Sequence, residues 1–291
     1  MWDFFNQKIH KMKKIAIQGI PGCYHEMAAR SYFKGEEIEV EPCLTFAKLF
    51  EKMSKDDSLL GIMAIENTIA GSLLQNHELL RKSDLSIVGE YKLRISHVLA
   101  ALPGESLENI SEINSHPIAL MQCEEYLDKL PNIKIVEKDD TAASAREIRE
   151  KDLKGHAAIC SQLAAEMYGL NILESGIETN KRNFTRFLVL ADSWQRDELT
   201  DRQTINKASL VFTLPHSNGS LSKVLTILSF YDINLTKIQS LPIIGREWEY
   251  RFYVDITFTD FTRYKQSLEA IKPLTKDFKI QGEYAEFTQN L

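Results

Sequence analysis

Residues 59–65 read LLGIMAI, an apolar run that passes directly into a further helical pattern. A strand with one face in water alternates apolar and polar residues. A run like this one must be covered on both faces, which implies helices on either side of a mostly parallel sheet. The surrounding chain agrees. KKIAIQ precedes a helix through Ala28, Ala29, Tyr32 and Phe33, and Phe46, Leu49, Phe50 and Met53 follow at helical spacing. Beyond the run come SIVGE, LRISHVLAAL, a Pro103-Gly104 break and a helix from Pro117 to about Leu130. IKIVEK, a helix from Thr141, AAIC, a helix ending at Gly169 and the strand TRFLVLA (185–191) complete the series. So many β-α units suit two α/β lobes better than one sheet.

The pattern changes after residues 192–207, DSWQRDELTDRQTINK, where only Trp194, Leu199 and Ile205 interrupt a polar stretch that reads as a linker. Ala208, Leu210, Phe212 and Leu214 alternate, and Leu221, Val224, Leu225 and Leu228 have helical spacing. A strand from Ile233 to about Pro242 is followed by a second alternating run, Tyr250 to Phe258. A helical face through Phe261, Tyr264, Leu268 and Ile271 and a strand through Phe278, Ile280 and Tyr284 close a βαββαβ order, the ferredoxin-like plan.

The 291 residues carry a formal charge of −6 and no basic run, so nucleic acid is not an expected partner. No apolar stretch approaches the roughly 20 residues that cross a bilayer, and MWDFFNQKIHKM has no apolar signal core, so no membrane partner and a cytoplasmic location are expected. Cys23, Cys43, Cys123 and Cys160 lie far apart without metal-ligand spacing and read as reduced, mostly buried thiols.

Three segments repeat one device, a strand that ends in a polar turn and opens a helix: QGIPGCYHE (18–26), IENTIAGS (65–72) and NSHPIAL (114–120). A helix N-terminus presents unpaired N–H groups and the positive end of its dipole, so each can hold an anion, although any one alone is most simply an ordinary cap. NKRNFTRF (180–187) adds Lys181, Arg182 and Arg186 as charges, Thr185 as a hydroxyl, and Phe184 and Phe187 as flat apolar surface. Together they suit a cleft for a small anionic ring compound.

QGIPGCYHE, GIMAIENTIAGS, SHPIALMQC, DDTAASA, AAICSQLAAEMYGL and NFTRFLVL, in this order, resemble prephenate dehydratase and its close relative arogenate dehydratase. GSLSKVLTILSFYDINLTKIQSLP is similar to the phenylalanine-binding ACT domain of that family. The resemblance implies an N-terminal extension (1–12) and a two-lobed catalytic domain of type II periplasmic-binding-protein form (13–191). Lobe one would take about 13–92 and 175–191, lobe two about 93–174, and an ACT domain 208–285. It also implies loss of carbon dioxide and ring hydroxyl from prephenate to give phenylpyruvate, with no metal or other cofactor, in a homodimer or homotetramer inhibited by phenylalanine.

By the same resemblance Thr185, Arg186 and Glu66 are the catalytic residues, Thr185 protonating the departing hydroxyl and Arg186 clamping carboxylate. Asn67, Thr68, Ser115, His116, Gln122, Thr141 and Phe187 bind substrate. Gly219, Ser220, Leu221, Asn234, Leu235, Gln239 and Ser240 bind the effector. Departures from the family pattern are GIPGCYH for GPxGTFS, IENT for IENS, and QSLP for ESRP, with Gln239 and Leu241 in place of two charges. The alternatives are an arogenate dehydratase and, in a different class, a solute sensor without turnover.

Overall fold

The computed structural model describes residues 12–288, so all of the expected N-terminal extension except Met12 lies outside the described residues. Lobe one begins with β1 (Lys13–Gln18), α1 (Tyr24–Tyr32), β2 (Ile38–Cys43) and α2 (Phe46–Met53). It continues through β3 (Leu60–Asn67), β4 (Gly71–Ser72), α3 (Leu74–Lys82) and β5 (Ser86–Arg94). Lobe two contains β6 (Val98–Ala101), β7 (Glu112–Ser115), α4 (Pro117–Gln122), α5 (Glu124–Leu127) and β8 (Lys134–Glu137). Its remaining elements are α6 (Thr141–Glu150), β9 (His156–Cys160), α7 (Gln162–Met167) and β10 (Asn171–Ser175). The chain then returns to lobe one as β11 (Phe184–Ala191).

The helices start where short polar side chains can take up a free amide. Thr45 caps α2, Asp140 caps α6 through Ala143 N at 2.8 Å, and Ser161 caps α7 through Ala164 N at 2.9 Å. The fully buried strand expected at LLGIMAI is β3, whose pattern is apolar and buried from Leu60 to Ile65.

Both lobes are less parallel than expected. β1 pairs in parallel with β2 and β3, but β11 pairs antiparallel with both β3 and β5, because it re-enters lobe one against the strand that left it. In lobe two, β7 is parallel to β8 and β9, while β6 is antiparallel to β9 and β10. Two other expectations change locally. The helix from Pro117 to Leu130 breaks at Cys123 into α4 and α5, and LRISHVLAAL divides between β5 and β6, leaving Ile95–His97 as a connection between the lobes.

The expected linker holds a short helix, α8 (Ser193–Leu199), capped by Asp192. The C-terminal unit follows as β12 (Lys207–Thr213), α9 (Ser220–Phe230), β13 (Asn234–Pro242), β14 (Tyr250–Thr257), α10 (Phe261–Ile271) and β15 (Lys276–Tyr284). This is the βαββαβ order, with both helices on a core of Leu210, Phe212, Val224, Leu228, Tyr264 and Leu268 among others. The C-terminal sheet is continuous with lobe one: β15 meets β5 at Gly282 and Ile87, giving the strand order β13-β14-β12-β15-β5-β11-β3-β1-β2. A Cβ on Gly282 would fall 2.2 Å from the Ile87 carbonyl oxygen, so only glycine allows the two sheets to approach this closely.

Candidate active site

One core runs across both lobes, joining Ile15, Ala28 and Phe187 of lobe one to Ala142, Ala158 and Ala164 of lobe two. The lobes are also tied by polar contacts. The loop before α1 is held by Ser161 Oγ donating to Gly22 O at 2.6 Å and Tyr168 Oη donating to Pro21 O at 2.8 Å. Gly22 has φ +90°, and a Cβ there would lie 2.8 Å from Ala164 Cα, so the loop seats on α7 only with glycine.

Between the lobes lies a cavity of about 330 Å³, of the size of small-molecule sites. The starts of α1, α4 and α6 all reach it, through Cys23 and Tyr24, His116 and Ile118, and Asp140 and Thr141. Two of the three anticipated helix openings are therefore here. At the third, β3 turns back into β4 through the pairs Glu66–Ser72 and Asn67–Gly71, and α3 starts only at Leu74.

Of the sequence-predicted residues, Asn67, His116, Gln122, Thr141, Thr185 and Phe187 line the cavity together. Asn67 is the most constrained. Its Nδ2 donates to Thr185 Oγ1 at 2.9 Å and to Asn183 Oδ1 at 2.8 Å, and its Oδ1 accepts from Ile69 N at 2.9 Å and Ala70 N at 2.8 Å. With both amide hydrogens and both acceptor positions occupied, this side chain holds the Thr185 oxygen in place and leaves the hydroxyl hydrogen to be donated.

The polar wall continues across to lobe two. Asn183 Nδ2 donates to Gln122 Oε1 at 3.0 Å, and Gln122 Oε1 lies 2.9 Å from His97 Nε2. An amide oxygen only accepts, so His97 carries its proton on Nε2, and Nδ1 accepts from Tyr24 Oη at 2.7 Å. Burial lowers the His97 pKa, partly offset by the bond to Gln122 and the charge of Glu178. His25, lying edge-on to Phe187 at 5.0 Å, is pushed down to about 3 by burial and is neutral at pH 7.

Four predicted residues stand outside the cavity lining, and the register of β3 explains one pair. Arg186 pairs with Glu66, but the next residue, Phe187, pairs with Ala64, so a bulge skips Ile65. A bulge reverses the phase of the pleat. Thr185 and Asn67 therefore face the cavity with Ala64, while Arg186 and Glu66 face the C-terminal unit. Glu66 Oε2 meets Lys237 Nζ at 3.0 Å, and Arg186 meets Glu90 and Asp255, so neither is placed to act on a ligand in the cavity. Ser115, fully buried, donates to Ile159 O at 2.6 Å and joins β7 to β9. Thr68 Oγ1 donates to Arg182 O at 3.1 Å and accepts from Phe184 N at 3.0 Å, which fixes the approach to β11.

The predicted effector residues are not gathered in one chain. Gly219, Ser220 and Leu221 begin α9, with Gly219 at φ +75° and Ser220 Oγ 2.7 Å from Ser217 Oγ. β13 runs parallel to β12 with β14 between, which puts Gln239 and Ser240 at the same end of the sheet as the α9 start. Asn234 and Leu235 lie at the other end, roughly 17 Å from Gln239 at the usual rise per residue. Gln239 Nε2 donates to Ser240 O at 2.9 Å, and Asn234 Nδ2 to Thr257 Oγ1 at 3.3 Å.

Sequence reasoning did not single out Tyr24, His25, His97 or Asn183. Asn183 was within NKRNFTRF, where only the charges, the hydroxyl and the rings drew attention. His97 had no signal, because the break between β5 and β6 that aims it depends on packing between the lobes.

Fold and cleft define a two-lobed α/β protein with a cavity of small-molecule size between its lobes, fused to a ferredoxin-like unit. The prephenate dehydratase family model matches residues 15–194. Arogenate dehydratase/prephenate dehydratase 6 of Arabidopsis thaliana is 36% identical over 290 residues, covering 93% of this chain and 68% of its own. The solved prephenate dehydratase of Arthrobacter aurescens in complex with L-Phe superposes with a TM-score of 0.83 at 28% identity, over 94% of this chain and 89% of its own. A structure described as GqqA, a novel type of quorum quenching acylase, superposes with a TM-score of 0.82 at 29% identity, over 94% and 98%. The chain belongs to the prephenate dehydratase family.

Proposed function

We propose that this chain is a prephenate dehydratase, a carbon-oxygen lyase that converts prephenate to phenylpyruvate in phenylalanine biosynthesis. The observation that carries the proposal is the Thr185 hydroxyl in the interlobe cavity, with its oxygen held by Asn67 at 2.9 Å. In the reaction the bond from the ring to its carboxylate breaks and its electron pair enters the ring as carbon dioxide leaves. The bond to the ring hydroxyl breaks in concert, and that oxygen leaves as water with the proton that Thr185 delivers. A threonine hydroxyl is a weak acid in water, so its usefulness depends on preorganisation in a closed site. The helix starts at Tyr24 and Pro117, with His116 and Gln122, supply the dipoles that hold the retained carboxylate, whereas the start of α6 is already capped by Asp140. His25 and Phe187 form the flat wall for the ring.

The C-terminal unit is read as an ACT domain that binds phenylalanine and inhibits, in a homodimer or homotetramer in the cytoplasm. The L-Phe held by the Arthrobacter aurescens relative supports the choice of effector. The dispersal of Gly219 and Asn234 to opposite ends of the sheet supports a site completed by a second copy. An acylase would need an activated nucleophile. Burial pushes the Cys23 thiol up to about 12, and it donates to Gln18 O, while Thr185 is partnered by an amide rather than a base.

Incubation with prephenate, followed by detection of phenylpyruvate, tests the reading, and competition with arogenate distinguishes the close relative, whose product is phenylalanine. Turnover of arogenate alone would replace the substrate, and no turnover of either would leave a sensor.

A further inference from the structure

We propose that Arg186 is a positioning residue through which the C-terminal unit sets the placement of the Thr185 hydroxyl. This rests on Thr185 being the donor in the proposed reaction.

Arg186 directly follows Thr185 on β11, and the pleat sends the two side chains to opposite faces. The guanidinium is held from both sides: Nε donates to Glu90 Oε2 at 2.6 Å within lobe one, and Nη1 to Asp255 Oδ2 at 2.5 Å in the C-terminal unit. Nη2 donates to Tyr284 Oη at 3.0 Å. The partners are themselves fixed. Ser209 Oγ donates to Asp255 Oδ1 at 2.6 Å and lies 2.7 Å from Tyr284 Oη, and Lys207 Nζ donates to Glu90 Oε1 at 2.8 Å. Strands β5, β14 and β15 thus meet on one largely buried side chain of β11, and β12 braces their groups.

Replacing such buried charges by apolar residues is often neutral or stabilising, so docking strength is a poor reason for them; what they supply is a fixed geometry. Here that geometry is imposed at the bulge between Arg186 and Phe187, next to the residue that must be placed most accurately. Bulges serve to re-aim side chains. A shift of Asp255 relative to Glu90 would turn the strand at the bulge and carry Thr185 with it.

The test is steady-state kinetics of the full chain with prephenate. If the wild type forms no phenylpyruvate, the reaction is wrong and the coupling is overturned with it. If it does, Asp255→Asn, a change with no atom in the cavity, should lower kcat about tenfold with KM within about twofold, because misplacement of a reacting group costs rate steeply. Asp255→Glu should recover part of the loss. In a Thr185→Ala background Asp255→Asn should cost nothing further, since the two changes act on one group. An unchanged kcat in folded Asp255→Asn, or an undiminished loss in the Thr185→Ala background, overturns the proposal. Where Asp255→Asn fails to fold, Ser209→Ala, which strands no charge, decides: a kcat fall of about threefold at constant KM supports it, and wild-type kcat overturns it.

Discussion

On one face of β11, Thr185 and Phe187 look into a cavity with neither lysine nor arginine in its lining, where neutral groups are fixed by hydrogen bonds. On the other face, one residue along, Arg186 sits between Glu90 and Asp255 in a buried network of charges. The cations in NKRNFTRF suggested an anion clamp, yet Arg186 is committed to the C-terminal unit, and Lys181 donates to the carbonyls of Gly176 and Glu178. Charge on this strand docks domains, whereas the cavity is lined by helix termini and neutral groups together with the carboxylates of Asp139 and Asp140. The two faces therefore predict different consequences for substitution.

The largest effect is expected on the cavity face. Thr185→Ala removes a donor used mainly in the transition state, so kcat should fall roughly 100- to 1,000-fold with little change in KM. Steady-state rates of the folded variant check this. Asn67→Asp keeps the shape but makes the partner of Thr185 an acceptor. The hydroxyl must then donate to the carboxylate, away from the cavity, and kcat should fall about 30-fold.

Thermal melts against pH separate the buried imidazoles from the buried carboxylates by their windows. Burial holds His25 down to about 3 from an ordinary value of 6.5, so between these values the unfolded chain binds a proton that the native chain does not. Stability on this account declines as pH falls from 6.5 towards 3, at up to about 1.4 kcal/mol per pH unit. Burial opposes ionisation of Glu90 and Asp255, but Arg186 and its neighbours outweigh it and lower both from ordinary values of 4.5 and 3.8. Their contribution is intact above those values and is lost only as pH falls below them towards the lowered ones. Burial pushes His77 to about 3 as well and lowers His97, so His25→Asn should reduce the slope of the upper window by one group's share and leave the lower window unchanged. A melt that is flat from pH 6.5 to 5 in the wild type would contradict the buried neutral imidazole.

The smallest effect is expected at Glu66, whose side chain is 39% exposed in its pair with Lys237. Glu66→Gln should leave kcat within about twofold and cost at most about 1 kcal/mol in a denaturant melt. A large loss of kcat would return Glu66 to the chemistry.

Much of the architecture was legible. LLGIMAI announced a strand covered on both faces, and the change to alternating runs after residue 207 announced the βαββαβ unit. Thr185, Asn67, Gln122 and Thr141 were reached by resemblance, and the structure brings them to one cavity. What escaped depends on tertiary pairing. Simple alternation from Ile62 and Ala64 puts Glu66 in the cleft, and only the skip of Ile65 opposite β11 sends Asn67 there instead. Likewise β11 returns antiparallel beside β3 because the chain has visited lobe two, which no local pattern records. Asn183 has an ordinary loop identity, and its role comes from being buried between Asn67 and Gln122.

The division of β11 into a chemical face and a docking face is tested most directly by the kinetics of Arg186→Lys with prephenate. Lysine keeps the charge but cannot hold Glu90 and Asp255 with separate nitrogens of one planar group. The account predicts a kcat lowered about tenfold with KM within about twofold of the wild type. A raised KM with kcat preserved would mean that Arg186 binds the substrate carboxylate, and would contradict it.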